Sequence, residues 1–162
     1  AVKDGIHAKK SVEISGGALE IKNCGGDAID CEGTSSLQKG TVCITDGKLT
    51  VSNIEGDGIN ALGNVELSGG VVSISCNQDG VKTDSFVYIS GNAKVTIDAG
   101  SDGLNSVKGI KVSSGYAKIN AVEYTLKSDA DISVLGGELA LEDGMKKIYA
   151  IGNTQISNGV IK

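Results

Sequence analysis

The chain has no proline, no tryptophan and no arginine in 162 residues, and only one phenylalanine, four tyrosines and one histidine. Each absence removes a class of function. Without arginine there is no guanidinium fork for carboxylate or phosphate. With every cation a lysine and a net charge of −5, nothing forms the basic, aromatic-studded face of a nucleic-acid binder. No apolar run approaches the ~18 residues of a membrane span, and no signal peptide is visible, so the chain reads as a mature or excised part of a longer exported protein. The cysteines, Cys24, Cys31, Cys43 and Cys76, lack metal-type spacing and are too few for a disulfide scaffold. They read as free thiols used as small core residues, with a Cys24 to Cys31 bridge as the alternative. Cys76 favours the former, because its equivalents in the next two units are Ala99 and Ala121.

What the chain does have is 24 glycines and a repeat. Asp-Gly-apolar openings occur at Asp4-Gly5-Ile6, Asp57-Gly58-Ile59, Asp79-Gly80-Val81, Asp102-Gly103-Leu104 and Asp143-Gly144-Met145, with Asp27-Ala28-Ile29 as a near match. The spacing is 23 from Asp4 to Asp27, 22 from Asp57 to Asp79 and 23 from Asp79 to Asp102. Between Asp27 and Asp57 it stretches to 30, which assigns Glu32 to Gly40 to an inserted polar loop. The sixth unit keeps its apolar residue but not its acid, with Tyr124-Thr125-Leu126-Lys127 where Asp-Gly-Ile-Asn is expected. A repeat of this period is the signature of a solenoid.

Alternation within each unit shows which side chains point inward. Val12-Glu13-Ile14, Val42-Cys43-Ile44, Val65-Glu66-Leu67, Val87-Tyr88-Ile89, Ile110-Lys111-Val112 and Ile132-Ser133-Val134 each bury their outer two residues. A second run follows a Gly-Gly or Gly-Asn turn, as in Leu19 and Ile21 or Val72 and Ile74. A third, shorter run carries Ile6, Ile29, Ile59, Val81, Leu104 and Leu126. Three short strands per unit predict an all-β, parallel β-helix of about seven coils, ~22 residues each, over residues 1–162 as a single domain. Right-handed winding is expected from the crossover rule. Solenoid ends need covering, which leads to an expectation of a flanking domain or of self-association at the coil ends.

Stacking turns a repeated residue into a line. Asp4, Asp27, Asp57, Asp79 and Asp102 form one, with Asp143 beyond the Tyr124 gap. Neighbouring charges about 4.8 Å apart repel by roughly 3.5 kcal/mol at an effective dielectric near 20. Calcium, which takes carboxylate and carbonyl oxygens, would offset this, with Asp27, Asp57, Asp79 and Asp102 as its candidate ligands. The competing role for these acids is turn formation, the carboxylate bonding its own backbone two residues on. Three positions later runs a second line, His7, Asp30, Asn60, Lys82, Asn105, Lys127 and Lys146. Of these, Asn60, Lys82, Asn105 and Lys127 are the candidate ligand-binding residues, suited to the hydroxyls or carboxylates of an extended polysaccharide. A solvated polar face is the plainer reading, and His7 is expected to be a solvent-facing member of it.

The repeated Asp-Gly-Ile-Asn-Ala followed by a strand and Ser-Gly-Gly, as at Asp57 to Gly70, resembles the secreted carbohydrate-binding β-helix proteins of cellulose- and pectin-degrading bacteria, which look like pectate lyases in fold. That resemblance implies bound calcium, an extracellular or cell-surface location, and affinity for cellulosic or acidic plant polysaccharide without catalysis. Tyr124 in place of an acid limits calcium to the earlier coils. Two alternatives stand beside it. A pectate-lyase-type enzyme needs a base for the α-proton, and with no arginine only Lys82 or Lys127 could serve. A surface spacer without a sugar ligand would explain the scarcity of aromatics. On this reading only Tyr88 offers the second line a ring, with Phe86 on the opposite face of its strand.

Overall fold

The computed structural model describes residues 3–142 and 146–162. Every strand pair among them is parallel, and the strands wind as a solenoid of about seven turns with ~23 residues per turn. The all-β, parallel β-helix expected from the repeat is therefore what the chain forms. From the third turn on, each contributes one strand to each of three faces.

The first face stacks Ile6–Ala8, Ile29–Cys31, Ile59–Ala61, Val81–Thr83, Leu104–Ser106, Tyr124–Ser128 and Lys146–Ala150. The second stacks Val65–Leu67, Phe86–Ile89, Gly109–Val112, Asp131–Val134 and Thr154–Ile156. The third stacks Val71–Cys76, Lys94–Ala99, Tyr116–Ala121, Glu138–Glu142 and Val160–Ile161. In the first two coils the second and third faces share one long strand each, Ser11–Cys24 and Thr41–Ile54. The turns expected at Gly16-Gly17 and Asp46-Gly47 therefore lie within continuous strands. The bend is taken up by register shifts around Ser15 and by positive φ at Gly17 and Gly47, +74° and +89°.

Register places like on like. Ile29, Ile59, Val81, Leu104 and Leu126 are aligned and all are fully buried. Burying such a side chain is worth roughly 1.5–3 kcal/mol against exposure, and alignment lets each methyl pack on its counterpart one coil away. The row beside it changes from Ala61 to Thr83, Ser106 and Ser128, which are also buried. Their hydroxyls are satisfied by turns. Ser106 Oγ donates to Ser85 O at 2.6 Å and Thr83 Oγ1 donates to Gly63 O.

All four cysteines are free thiols. Cys76 packs in register with Ile54 and Ala99, and burial pushes its thiol up to about 12. Cys24 and Cys31 are not bridged. No helix among the described residues is long and apolar enough to cross a membrane.

Candidate functional site

The acids line up as predicted, but they bond across coils rather than within their own turns. Asp4 Oδ1 accepts the Asp27 backbone N–H at 3.0 Å, Asp27 Oδ1 that of Asp57 at 2.7 Å and Asp57 Oδ1 that of Asp79 at 2.8 Å. Asp79 Oδ1 accepts from Asp102 at 3.0 Å, and Asp102 Oδ1 from Tyr124 at 3.2 Å. The Asp-Gly turn thus serves as a coil-to-coil bracket, in which each carboxylate satisfies the donor that the next coil would otherwise bury unpaired. Asp57, Asp79 and Asp102 are 3%, 6% and 1% exposed.

The second line closes the other side of the bracket. Asn60 Nδ2 donates to Asp27 Oδ2 at 3.1 Å, and Asn105 Nδ2 donates to Asp79 Oδ2 at 2.9 Å and Asp102 Oδ2 at 3.2 Å. Lys127 Nζ reaches Asp102 Oδ2 at 2.8 Å, while Lys82 Nζ stands 3.8 Å from Asp57 Oδ2. The hydrogen bond to Asp102 raises the Lys127 ammonium above its ordinary value. Burial raises Asp57 to about 6, against the opposing effects of the Asp79 N–H and Lys82.

Calcium takes six to eight oxygens. Asp27, Asp79 and Asp102 accept N–H donors on both carboxylate oxygens, and Asp57 on Oδ1 alone, with Lys82 Nζ 3.8 Å from its Oδ2, so most oxygens of the row are turned to protein donors. Among the described residues, ligand atoms of three His, Cys, Asp or Glu side chains converge only at Asp4, His7 and Asp30. His7 Nδ1 lies 2.9 Å from Asp30 Oδ2 there, a nitrogen ligand unsuited to calcium. His7 is exposed on the line, as expected.

The predicted ligand-binding residues Asn60, Lys82, Asn105 and Lys127 stand in register on consecutive coils. Two corrections change what flanks them. Lys127 pairs with Tyr149, not Lys146, and Lys146 falls opposite Tyr124. Counting three residues on from Asp143 misplaces the seventh unit, whereas aligning Leu126-Lys127-Ser128 on Ile148-Tyr149-Ala150 would have found the tyrosine. Asp143, Gly144 and Met145, the seventh opening, lie outside the described residues, as does the Lys146 side chain. The polar line therefore ends on aromatics, with the Tyr124 and Tyr149 rings 5.3 Å apart and Lys127 Nζ 5.5 Å from the Tyr124 centroid. Second, Phe86 and Tyr88 share one outward face of their strand and stack at 5.6 Å, because residues two apart in a strand point the same way. That strand belongs to the second face.

The inserted loop, Glu32 to Gly40, stands beside the start of the line. With Asp30, Asn60 and Asp84 it encloses an open depression of about 590 Å³. Burial raises Asp30 above the usual carboxylate range. Across the two lines, among the described residues, Asp4, Asp27, Asp30, Asp57, Asp79 and Asp102 face only Lys82, Lys127 and His7 as cationic or potentially cationic partners.

A family model described as "carbohydrate-binding domain-containing protein" matches residues 1–147. No curated protein and no solved structure matches the chain.

Proposed function

The chain belongs to the carbohydrate-binding domain-containing protein family, and on that premise we propose that its first face binds a linear, neutral glycan of cellulosic kind laid across the coils, without catalysis. The observation that carries this reading is the unbroken line from Asn60 through Lys82, Asn105 and Lys127 to Tyr149, one side chain per coil. Its spacing of about 4.8 Å is close to the length of one pyranose unit, so successive sugars meet successive coils. Tyr149, 40% exposed, supplies the ring on which a sugar face stacks.

Charge argues for a neutral ligand. The acids outnumber the lysines, and Lys127 is already committed to Asp102, so a chain of uronates would meet net repulsion. Catalysis of the lyase type needs a base, which for lysine means a lowered pKa. Lys127 is shifted the opposite way. On this reading the protein works outside the cell or on its surface.

Calorimetric titration with cellohexaose and with hexagalacturonate, each with calcium and with chelator, tests the reading. Cellohexaose should bind equally in both conditions, Tyr149→Ala should weaken it about tenfold, roughly 1.4 kcal/mol, and no unsaturated uronate should form. Binding of hexagalacturonate alone, dependent on calcium, would replace this reading with the acidic, calcium-bridged one. No binding of either sugar would leave the domain a spacer.

A further inference from the structure

The second face carries a feature that the first does not use. Phe86 and Tyr88 stack on each other, half-buried at their bases and open outward. On the next coil Gly109 stands opposite Phe86 and Lys111 opposite Tyr88, followed by Asp131 and Ser133. A side chain at Gly109 would come within 3.2 Å of the Phe86 ring, so the glycine makes room for the ring and leaves a recess beside it. The recess is a depression of about 470 Å³ walled by Phe86, Tyr88, Lys108, Lys111, Asp131 and Ser133. On the other side of Tyr88 lies a second depression of about 350 Å³, bounded by Glu66, Ser68, Ser90, Lys111 and Ser113. Tyr88 and Lys111 border both.

The chemistry differs from that of the first face. There, carboxylates and donors consume one another along the stack. Here, among the described residues, Lys108 and Lys111 enter no ion pair, and the Tyr88 hydroxyl has no partner. The surface combines an apolar ring with polar groups still open to a ligand. A pyranose has this character in reverse, with C–H bonds on its faces and hydroxyls around its edge. A phosphate or carboxylate ligand would find two lysines but also Glu66 and Asp131, and would gain nothing from the rings.

We propose that this aromatic ridge is a second saccharide site, independent of the first face, in which two adjacent sugar units of a neutral oligosaccharide straddle Tyr88, one in each depression. Sugar C–H groups pack on the Tyr88 and Phe86 rings, while Lys111, Ser133 and Asp131 on one side and Ser90, Ser113 and Glu66 on the other meet the hydroxyls. Asp131 keeps its orientation because its Oδ1 accepts the Asn153 N–H at 2.7 Å. The proposal rests on the reading of this chain as a carbohydrate binder, but not on the first-face line.

Cellohexaose titrations monitored by backbone amide shifts locate binding directly. Two groups of shifts are expected, one along the first-face line around residues 60, 82, 105, 127 and 149, the other around 86–90, 109–113 and 131–133. Tyr88→Ala should weaken the second group's affinity about tenfold, a loss of roughly 1.4 kcal/mol, and leave the first unchanged. Lys111→Met should weaken it less, and Tyr149→Ala not at all. All three surface variants should melt within a few degrees of the parent, so a folding defect is separable. Shifts confined to the first group, or a second group indifferent to both Tyr88→Ala and Lys111→Met, would overturn the second site while sparing the first. Shifts confined to the second group would support it and remove the first-face reading, and no shifts anywhere would remove both.

Discussion

Coils three to five open with Asp57-Gly58, Asp79-Gly80 and Asp102-Gly103, and coil six opens at the same register with Tyr124-Thr125. Both kinds of coil stack without loss, since Thr125, Leu126 and Ser128 are as fully buried as their counterparts. The difference shows what each residue is for. In the central coils the glycine accommodates an isoleucine of the third face. A Cβ at Gly58, Gly80 or Gly103 would collide with the Cγ2 methyl of Ile74, Ile97 or Ile119 and lie 2.5–2.6 Å from a carbonyl oxygen of the next coil. Coil six carries Leu141 at that third-face position, and leucine branches one carbon farther out. Thr125 occupies the space and bonds its hydroxyl to Lys147 O. Coil two carries Ala28 just before Ile29, where the coil aligned on it has Gly58 before Ile59. The winding itself therefore does not require glycine.

Moving the coil-six solution into coil four breaks the comparison most severely. Gly80→Thr should cost about 3 kcal/mol, as overpacking against backbone does, or roughly 6–12 °C for a chain of this size. Adding Ile97→Leu should return a large part of that loss in thermal melts. If the double variant is no more stable than Gly80→Thr alone, the pairing of glycine with isoleucine is not the cause. The reverse change, Thr125→Gly, should cost about 1 kcal/mol through backbone entropy alone, and more with the lost hydroxyl bond.

A smaller loss is expected from removing a bracket. Asp79→Ala strands the Asp102 backbone N–H and leaves the Asn105 amide with Asp102 Oδ2 alone as acceptor. A lost bond to a charged acceptor with the donor left buried should cost about 2 kcal/mol in urea unfolding. Tyr124→Ala, at the position where the acid row stops, removes a partly exposed ring and its contacts with Tyr149 and Lys127 and should cost about half as much. Equal losses would mean that the carboxylates do not fasten the coils.

The solenoid was legible because like residues at a fixed offset must stack, and the apolar positions show that offset without ambiguity. The candidate site was only partly legible. The line Asn60, Lys82, Asn105, Lys127 followed from the same offset, but the role of the acids did not. A carboxylate that caps the next coil's backbone and one that holds a metal leave the same trace in a sequence. The aromatics were harder still. Tyr124 and Tyr149 meet only because the last coil is aligned on its core residues, and Asp143-Gly144 suggests a different alignment. Phe86 and Tyr88 stand two apart on one strand, so alternation puts both on its outward face, against the expectation that set Phe86 on the other side.

The smallest effect separates the bracket from calcium. Asp57 is raised to about 6 in the folded chain by burial, whereas an unfolded aspartate titrates near 3.9. Between those values the folded state holds a proton that the unfolded state has released. Asp57 therefore lowers stability progressively as pH rises from about 4 to 6, and the whole penalty, at most about 3 kcal/mol, is present at neutral pH. Asn in its place keeps an oxygen for the Asp79 N–H and removes the penalty, at the expense of a charged hydrogen bond and a loose contact with Lys82. Asp57→Asn should thus be more stable than the parent by about 1 kcal/mol at pH 7, with the advantage vanishing towards pH 4. Parallel pH profiles for parent and variant would sink this account of Asp57. Melts in millimolar calcium then decide the remaining issue. An ion seated on the acid row would stabilise the parent and not the variant, reversing the order of the two melting temperatures. A bracket closed by N–H donors leaves that order unchanged, with calcium or chelator alike.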